Sequence, residues 1–146
     1  MKNHLDPTPE NAPAFAASIV ESAQRISGVS LDYSEASLPA LESIIDSFRN
    51  DGVTADEIVD TLFCMGCYVG EVFVRQRAGA WKRTEETGMK GFASAPMVIQ
   101  TGPDSCCNPI DKVFKRMENG AVDSLSYFYT GFAKPRREAK PWWRIW

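Results

Sequence analysis

Between Leu62 and Val74 nearly every position is apolar or small, and Glu71 is the one charge. A helix that is hydrophobic all round is a buried one, so this stretch predicts a central element around which the rest packs. The flanks extend the helix from Thr54 to about Arg77, some 24 residues and about 36 Å at roughly 1.5 Å per residue. Thr54 with Glu57 three residues on matches a capping box. Asp56, Glu57 and Asp60 crowd the first turns and Arg75 and Arg77 the last, as the helix dipole favours. Gly66 and Gly70 lie one turn apart in the apolar middle. Each costs about 1 kcal/mol relative to alanine in an exposed helix, so the pair predicts a face that another helix or a strand approaches closely.

Weaker stripes place the other elements. Phe15, Ile19, Ala23 and Ile26 share one face of a helix over about Pro13 to Ser27, with Asn11 as cap and Gly28 as its stop. Val29 to Glu35 is extended or turn-like. Leu38, Leu41, Ile44, Ile45 and Phe48 predict a second helix opened by Ser37 and Pro39 and closed by Asn50-Asp51-Gly52. After Gly79, Ala80–Arg83 reads as a strand, and Ala93–Thr101 as a second one. Its Pro96 points to an edge position or a bulge. The two pair as an antiparallel hairpin with a long loop, and 102–107 is read as loop. Asn108-Pro109 starts a fourth helix buried through Ile110, Val113, Phe114 and Met117. Asp123 or Ser124 caps a last helix carrying Leu125, Phe128, Tyr129 and Phe132. The expected fold is α+β: a mostly helical single domain over 13–133 with a long central helix and a β-hairpin. A flexible lead-in (1–12) and a tryptophan-rich basic tail (134–146) flank it.

Composition fits this picture. A chain of 146 residues, 44% hydrophobic and 24% charged, is long enough for one buried core. No apolar run approaches the roughly 20 residues of a membrane span, and the start lacks a signal-like apolar core. A cytoplasmic protein is expected. The net charge of −3 is uneven: residues 1–63 hold 11 acidic and 3 basic side chains, net −8, and residues 64–146 hold 8 acidic and 13 basic, net +5. Such asymmetry can steer a charged partner or reflect solvated acidic helix faces.

Candidate chemistry is sparse. Cys64 and Cys67 form a CxxC, but in mid-helix, where the dipole that activates such thiols at a helix start is absent. With Cys106 and Cys107 they could ligate zinc, although vicinal cysteines pair poorly as ligands. Packed core thiols are the expected reading, and a thiol-based metal or redox protein is the third in order. No metal or cofactor is expected. His4 is the one histidine, so a histidine triad or multi-histidine site is not expected. Glu71, flanked by Tyr68 and four residues ahead of Arg75, needs a partner if buried. A structural ion pair with Arg75 or Arg116 is expected. The alternative is a small-molecule pocket beside the central helix built from Glu71, Tyr68, Arg75 and Arg116. Lys112, Lys115 and Arg116 form a basic face on the fourth helix, but a pI of 5.2 and the lack of a binding motif argue against nucleic acid. The tail's Trp142, Trp143 and Trp146, beside Arg136 and Arg137, suit a protein contact, a membrane interface or docking on the domain's own surface.

Two blocks carry a family resemblance. The first is Leu31-Asp32-Tyr33-Ser34, then Tyr68-Val69-Gly70-Glu71-Val72-Phe73-Val74-Arg75 and Gly79-Ala80-Trp81. The second is Asn108-Pro109-Ile110, Val113, Lys115-Arg116, Glu118-Asn119-Gly120, Asp123-Ser124-Leu125 and Tyr127-Phe128-Tyr129. Over about residues 31–131 the chain resembles a family of small, uncharacterised bacterial single-domain proteins. The resemblance implies a non-enzymatic binding module with no catalytic residues, of the kind that can serve as immunity partner to a toxin. The cysteines are not part of that pattern. The resulting expectation is a protein that binds another protein, with Trp142, Trp143, Trp146, Arg136 and Arg137 as contact residues. Neither membrane nor nucleic acid is an expected partner, and homo-oligomerisation is left open.

Overall fold

The computed structural model describes residues 5–133. Among these are five α-helices, α1 (Ala12–Ser27), α2 (Leu38–Asn50), α3 (Val59–Arg77), α4 (Pro109–Asn119) and α5 (Leu125–Ala133). One antiparallel sheet has the strand order β1 (Ala80–Arg83), β2 (Met97–Gly102), β3 (Ser105–Cys107). The α+β expectation holds. His4 and the tail residues Arg136, Arg137, Trp142, Trp143 and Trp146 lie outside the described residues.

The central helix is buried from Leu62 to Phe73 except at Phe63, which is partly exposed. Its largest helix interfaces are with α1 and α4. Helical turns of the α type start only at Val59, because a 3-10 turn, Ala55–Ile58, takes up the first residues. The capping box forms at the start of that turn: the Glu57 carboxylate accepts both the Thr54 backbone N–H and its hydroxyl.

Both glycines are explained by close approach. A Cβ on Gly66 would lie 2.6 Å from the Ile110 Cα, so the backbone of α4 rests directly on α3. A Cβ on Gly70 would lie 2.1 Å from the Trp81 ring, so β1 lays its indole across the helix there. The expectation that one face would admit a helix or a strand is met by both at once.

Three local readings change. Residues Ser105–Cys107 are a third strand, not loop, joined to β2 across the Pro103-Asp104 turn, with Ile99 opposite Cys107 and Gln100 opposite Cys106. This makes β2 the central strand. Pro96 is compatible with that because it stands just ahead of Met97, where it needs no ladder N–H and its carbonyl accepts from Thr84. The irregularity in register falls at Gln100–Gly102 instead. Asn11 does not cap α1 through its side chain; its amide donates to the Asp6 carbonyl, while a 3-10 turn, Pro9–Asn11, leads into the helix. Asn108 does cap α4, accepting from the Asp111 N–H, and Ser124 accepts from the Tyr127 N–H at the start of α5.

Candidate functional site

The carboxylate of Glu71 sits where α3 passes under β1. Gly70 admits the indole, so the Trp81 Nε1–H donates to Glu71 Oε2 at 3.0 Å, while Arg75 approaches Oε1 at 3.5 Å. Glu71 is 4% exposed. It reaches Arg75 and Trp81, and not Arg116.

Arg75, half exposed, lies over Tyr33 with its guanidinium carbon 3.5 Å from the ring centroid. Tyr33 in turn stacks on Tyr68 with centroids 4.9 Å apart. The Tyr33 backbone is left-handed (φ 64), an uncommon state for a bulky residue. Three bonds hold it there: its N–H donates to the Tyr68 hydroxyl, Gln76 donates to its carbonyl, and Tyr68 shares a 2.6 Å hydrogen bond with Ser37. Burial pushes the Tyr33 and Tyr68 phenols above their ordinary pKa, so both are neutral donors and acceptors. Tyr68 is fully buried and locks the 31–37 segment onto α3.

Arg116 is elsewhere and does not belong to a solvated basic face. It is 3% exposed and clamps three helices. Both its terminal nitrogens meet Asp46 of α2 (2.8 and 2.9 Å) and its Nε meets Glu42 (3.4 Å). Glu42 also accepts from the Leu125 N–H and the Ser126 hydroxyl at the start of α5. Burial works against the Arg116 charge, but the Asp46 hydrogen bonds and the two carboxylates outweigh it and hold its pKa above the ordinary value. Lys112 is paired with Asp123 at 2.7 Å. Thus the predicted pocket set divides in two: Glu71, Arg75 and Tyr68 come together, whereas Arg116 serves α2 and α5. Among the described residues no buried side-chain nitrogen or oxygen lacks a hydrogen-bond partner, so neither cluster presents an orphaned polar group to a ligand.

The thiols are unpaired. Cys64, Cys67 and Cys107 are buried, Cys106 is partly exposed, and burial raises the pKa of all four. High-pKa buried thiols are poor nucleophiles. Among the described residues no group of three or more His, Cys, Asp or Glu is spaced to hold a metal ion.

The other end of α3 is different. An open cavity of about 370 Å³ lies between the incoming chain and the helices. It is lined by Leu5 and Pro7 of the incoming chain and by Val59, Asp60, Phe63 and Cys64 of α3. Phe15 of α1, Pro96 and Phe114 of α4 complete the lining. Phe15 and Phe63 meet edge to face at 5.1 Å. Leu5 and Val59 are 39% and 46% exposed, large apolar side chains left at the mouth. Asp60 is the one charge in the lining; in sequence, Asp6 lies between the lining residues Leu5 and Pro7, and Asp56 four positions before Asp60.

This cleft was not foreseen. The helical stripes mark Phe15 and Phe114 as core residues. Only the path of residues 5–11, which no periodicity encodes, leaves them at the edge of a hollow. No helix among the described residues is long and apolar enough to cross a membrane. No protein-family model matches the chain, and comparison with curated proteins and with solved structures finds no match.

Proposed function

We propose that this chain is a non-enzymatic protein-binding domain and that it docks its partner at the apolar cleft over the start of α3. The observation that carries the reading is the cleft itself: Leu5 and Val59 stay exposed beside a hollow whose lining includes the rings of Phe15, Phe63 and Phe114 and the carboxylate of Asp60. Exposed apolar surface rimmed by polar groups marks interaction sites. The matching partner presents an apolar side chain flanked by cations. Inhibition of a toxin-type partner by direct binding is the form of action that the resemblance over residues 31–131 supports. A cytoplasmic setting accords with four unpaired thiols, which that compartment keeps reduced.

The test is affinity capture from the native source with the full chain, its Val59→Glu variant and its Glu71→Gln variant. The expected result is a specific protein held by the parent and by Glu71→Gln, and lost with Val59→Glu. Capture indifferent to Val59→Glu, or turnover of a small molecule abolished by Glu71→Gln, would overturn the reading.

A further inference from the structure

The outer face of the sheet carries a second hollow. Trp81, Ile99 and Cys107 stand in one row across the three strands and face inward, with Trp81 on Gly70 and the other two buried. Side chains alternate along a strand, so Gln100 and its partner Cys106, with Lys82 diagonal to Gln100, point the other way. These three line an open cavity of about 730 Å³, within the roughly 300–1,000 Å³ of small-molecule sites. The rest of its lining comes from two turns, residues 86–89 after β1 and residues 103–105 between β2 and β3. Both turns are tied down internally. The Thr87 hydroxyl donates to the Thr84 carbonyl and accepts from the Met89 N–H, and the Thr101 hydroxyl donates to that of Ser105 at 2.8 Å. The cavity shares no lining residue with the docking cleft.

The turns are satisfied, and three polar groups between them are not. Among the described residues Lys82 and Glu86 make no ion pair, and the side-chain amide of Gln100 makes no hydrogen bond. Asp104, the remaining charge of the lining, is already engaged. Burial pushes the Cys106 thiol up and the Lys82 ammonium pulls against it. A cation based on one edge strand thus acts on the other, across β2. A bound molecule therefore meets one cation, one amide and one carboxylate without partners. Glu86 opposes a dianion and Lys82 opposes a simple cation; a molecule carrying both signs answers both. We infer that this cavity binds a small zwitterion, a free α-amino acid, with its carboxylate on Lys82 and the Gln100 amide and its ammonium on Glu86. Both charged side chains are exposed, so each ion pair is weak singly, and the site suits a ligand present at millimolar concentration.

The experiment titrates the full chain, labelled with heavy nitrogen and read by NMR, with each common amino acid in turn. The titration runs to about 10 mM, where a site of millimolar Kd is filled. At least one amino acid is expected to shift the amides of Lys82, Gln100 and Cys106 saturably. The same one is expected to slow alkylation of Cys106, the one cysteine of the four that is partly exposed. Acetate and methylammonium, each with a single charge, are expected to do neither. Lys82→Met and Glu86→Gln each remove one charge from an exposed position, and each is expected to weaken binding about threefold to fivefold. No saturable shift with any amino acid would overturn the proposal. So would equal shifts with acetate or methylammonium alone, or an affinity indifferent to both substitutions. A titration abolished by Val59→Glu would place the ligand in the docking cleft and overturn the assignment too.

Discussion

The two ends of α3 are built on opposite plans. At the C-terminal end, Glu71, Arg75, Tyr33, Tyr68 and Trp81 form a knot in which each polar group answers another. At the N-terminal end, Val59, Phe63 and Cys64 face a hollow that the described residues leave open. The charged and aromatic residues that stand out most in the chain are consumed by the first. Polar groups buried and satisfied hold elements together; apolar groups left exposed are what remain for a partner. The contrast implies that substitutions in the satisfied clusters act on stability, and substitutions at the cleft act on binding.

The largest stability effect is expected away from both ends, at Arg116. Arg116→Met removes a cation that joins α2, α4 and, through Glu42, α5. Breaking a buried pair from one side typically costs about 3–5 kcal/mol. The lower figure applies, since Asp46 is half exposed and can rehydrate. Denaturant unfolding should therefore show a loss of about 3 kcal/mol; a loss below 1 kcal/mol would mean that the clamp is ornamental. Next comes Gly70→Ala, whose new Cβ collides with the Trp81 ring. Overpacking of this kind costs about 1–3 kcal/mol. The displaced indole should release its bond to Glu71, visible as a change in tryptophan fluorescence.

Glu71→Gln sharpens the comparison from within the knot. The amide retains an oxygen for the Trp81 N–H but loses the charge that faces Arg75. Hydrogen bonds to charged groups contribute about 1.5–3 kcal/mol against about 0.5–1.5 for neutral ones, so a loss of roughly 1 kcal/mol in unfolding free energy is expected. Arg75 is half exposed, which keeps the figure low. A variant as stable as the parent but inactive in an assay would move Glu71 from structure to chemistry.

Much of this plan was legible because it follows local rules. The all-round apolar run placed α3, Gly66 and Gly70 announced the close approach of α4 and β1, and Asn108 fixed the start of α4. What escaped depends on long-range geometry. Strand β3 is three residues long, too short a span to show a period, so only pairing with β2 defines it. Arg116 reads as one of three basic residues on a helix, and its partners are 70 and 74 residues away. The spacing of Glu42 and Asp46, four apart beside the Leu41 and Ile45 stripe, was the available sign that α2 expected a cation. The cleft had no sign at all, being made by the course of irregular backbone.

The smallest effect is the most telling one. Val59 is nearly half exposed and lies in the first turn of α3. A glutamate there sits near the positive end of the helix dipole, which favours it by about 0.3–1 kcal/mol. The gain is offset by the neighbouring Asp56 and Asp60 and by lost apolar contact in the cleft. Surface changes of this kind fall within about 0.5 kcal/mol of neutral. Thermal and denaturant unfolding of Val59→Glu should therefore overlay the parent, even as partner capture is abolished. If Val59→Glu instead destabilised the protein by about 2 kcal/mol or more, Val59 would belong to the core. Both ends of α3 would then be structural, and the partner would have to dock elsewhere.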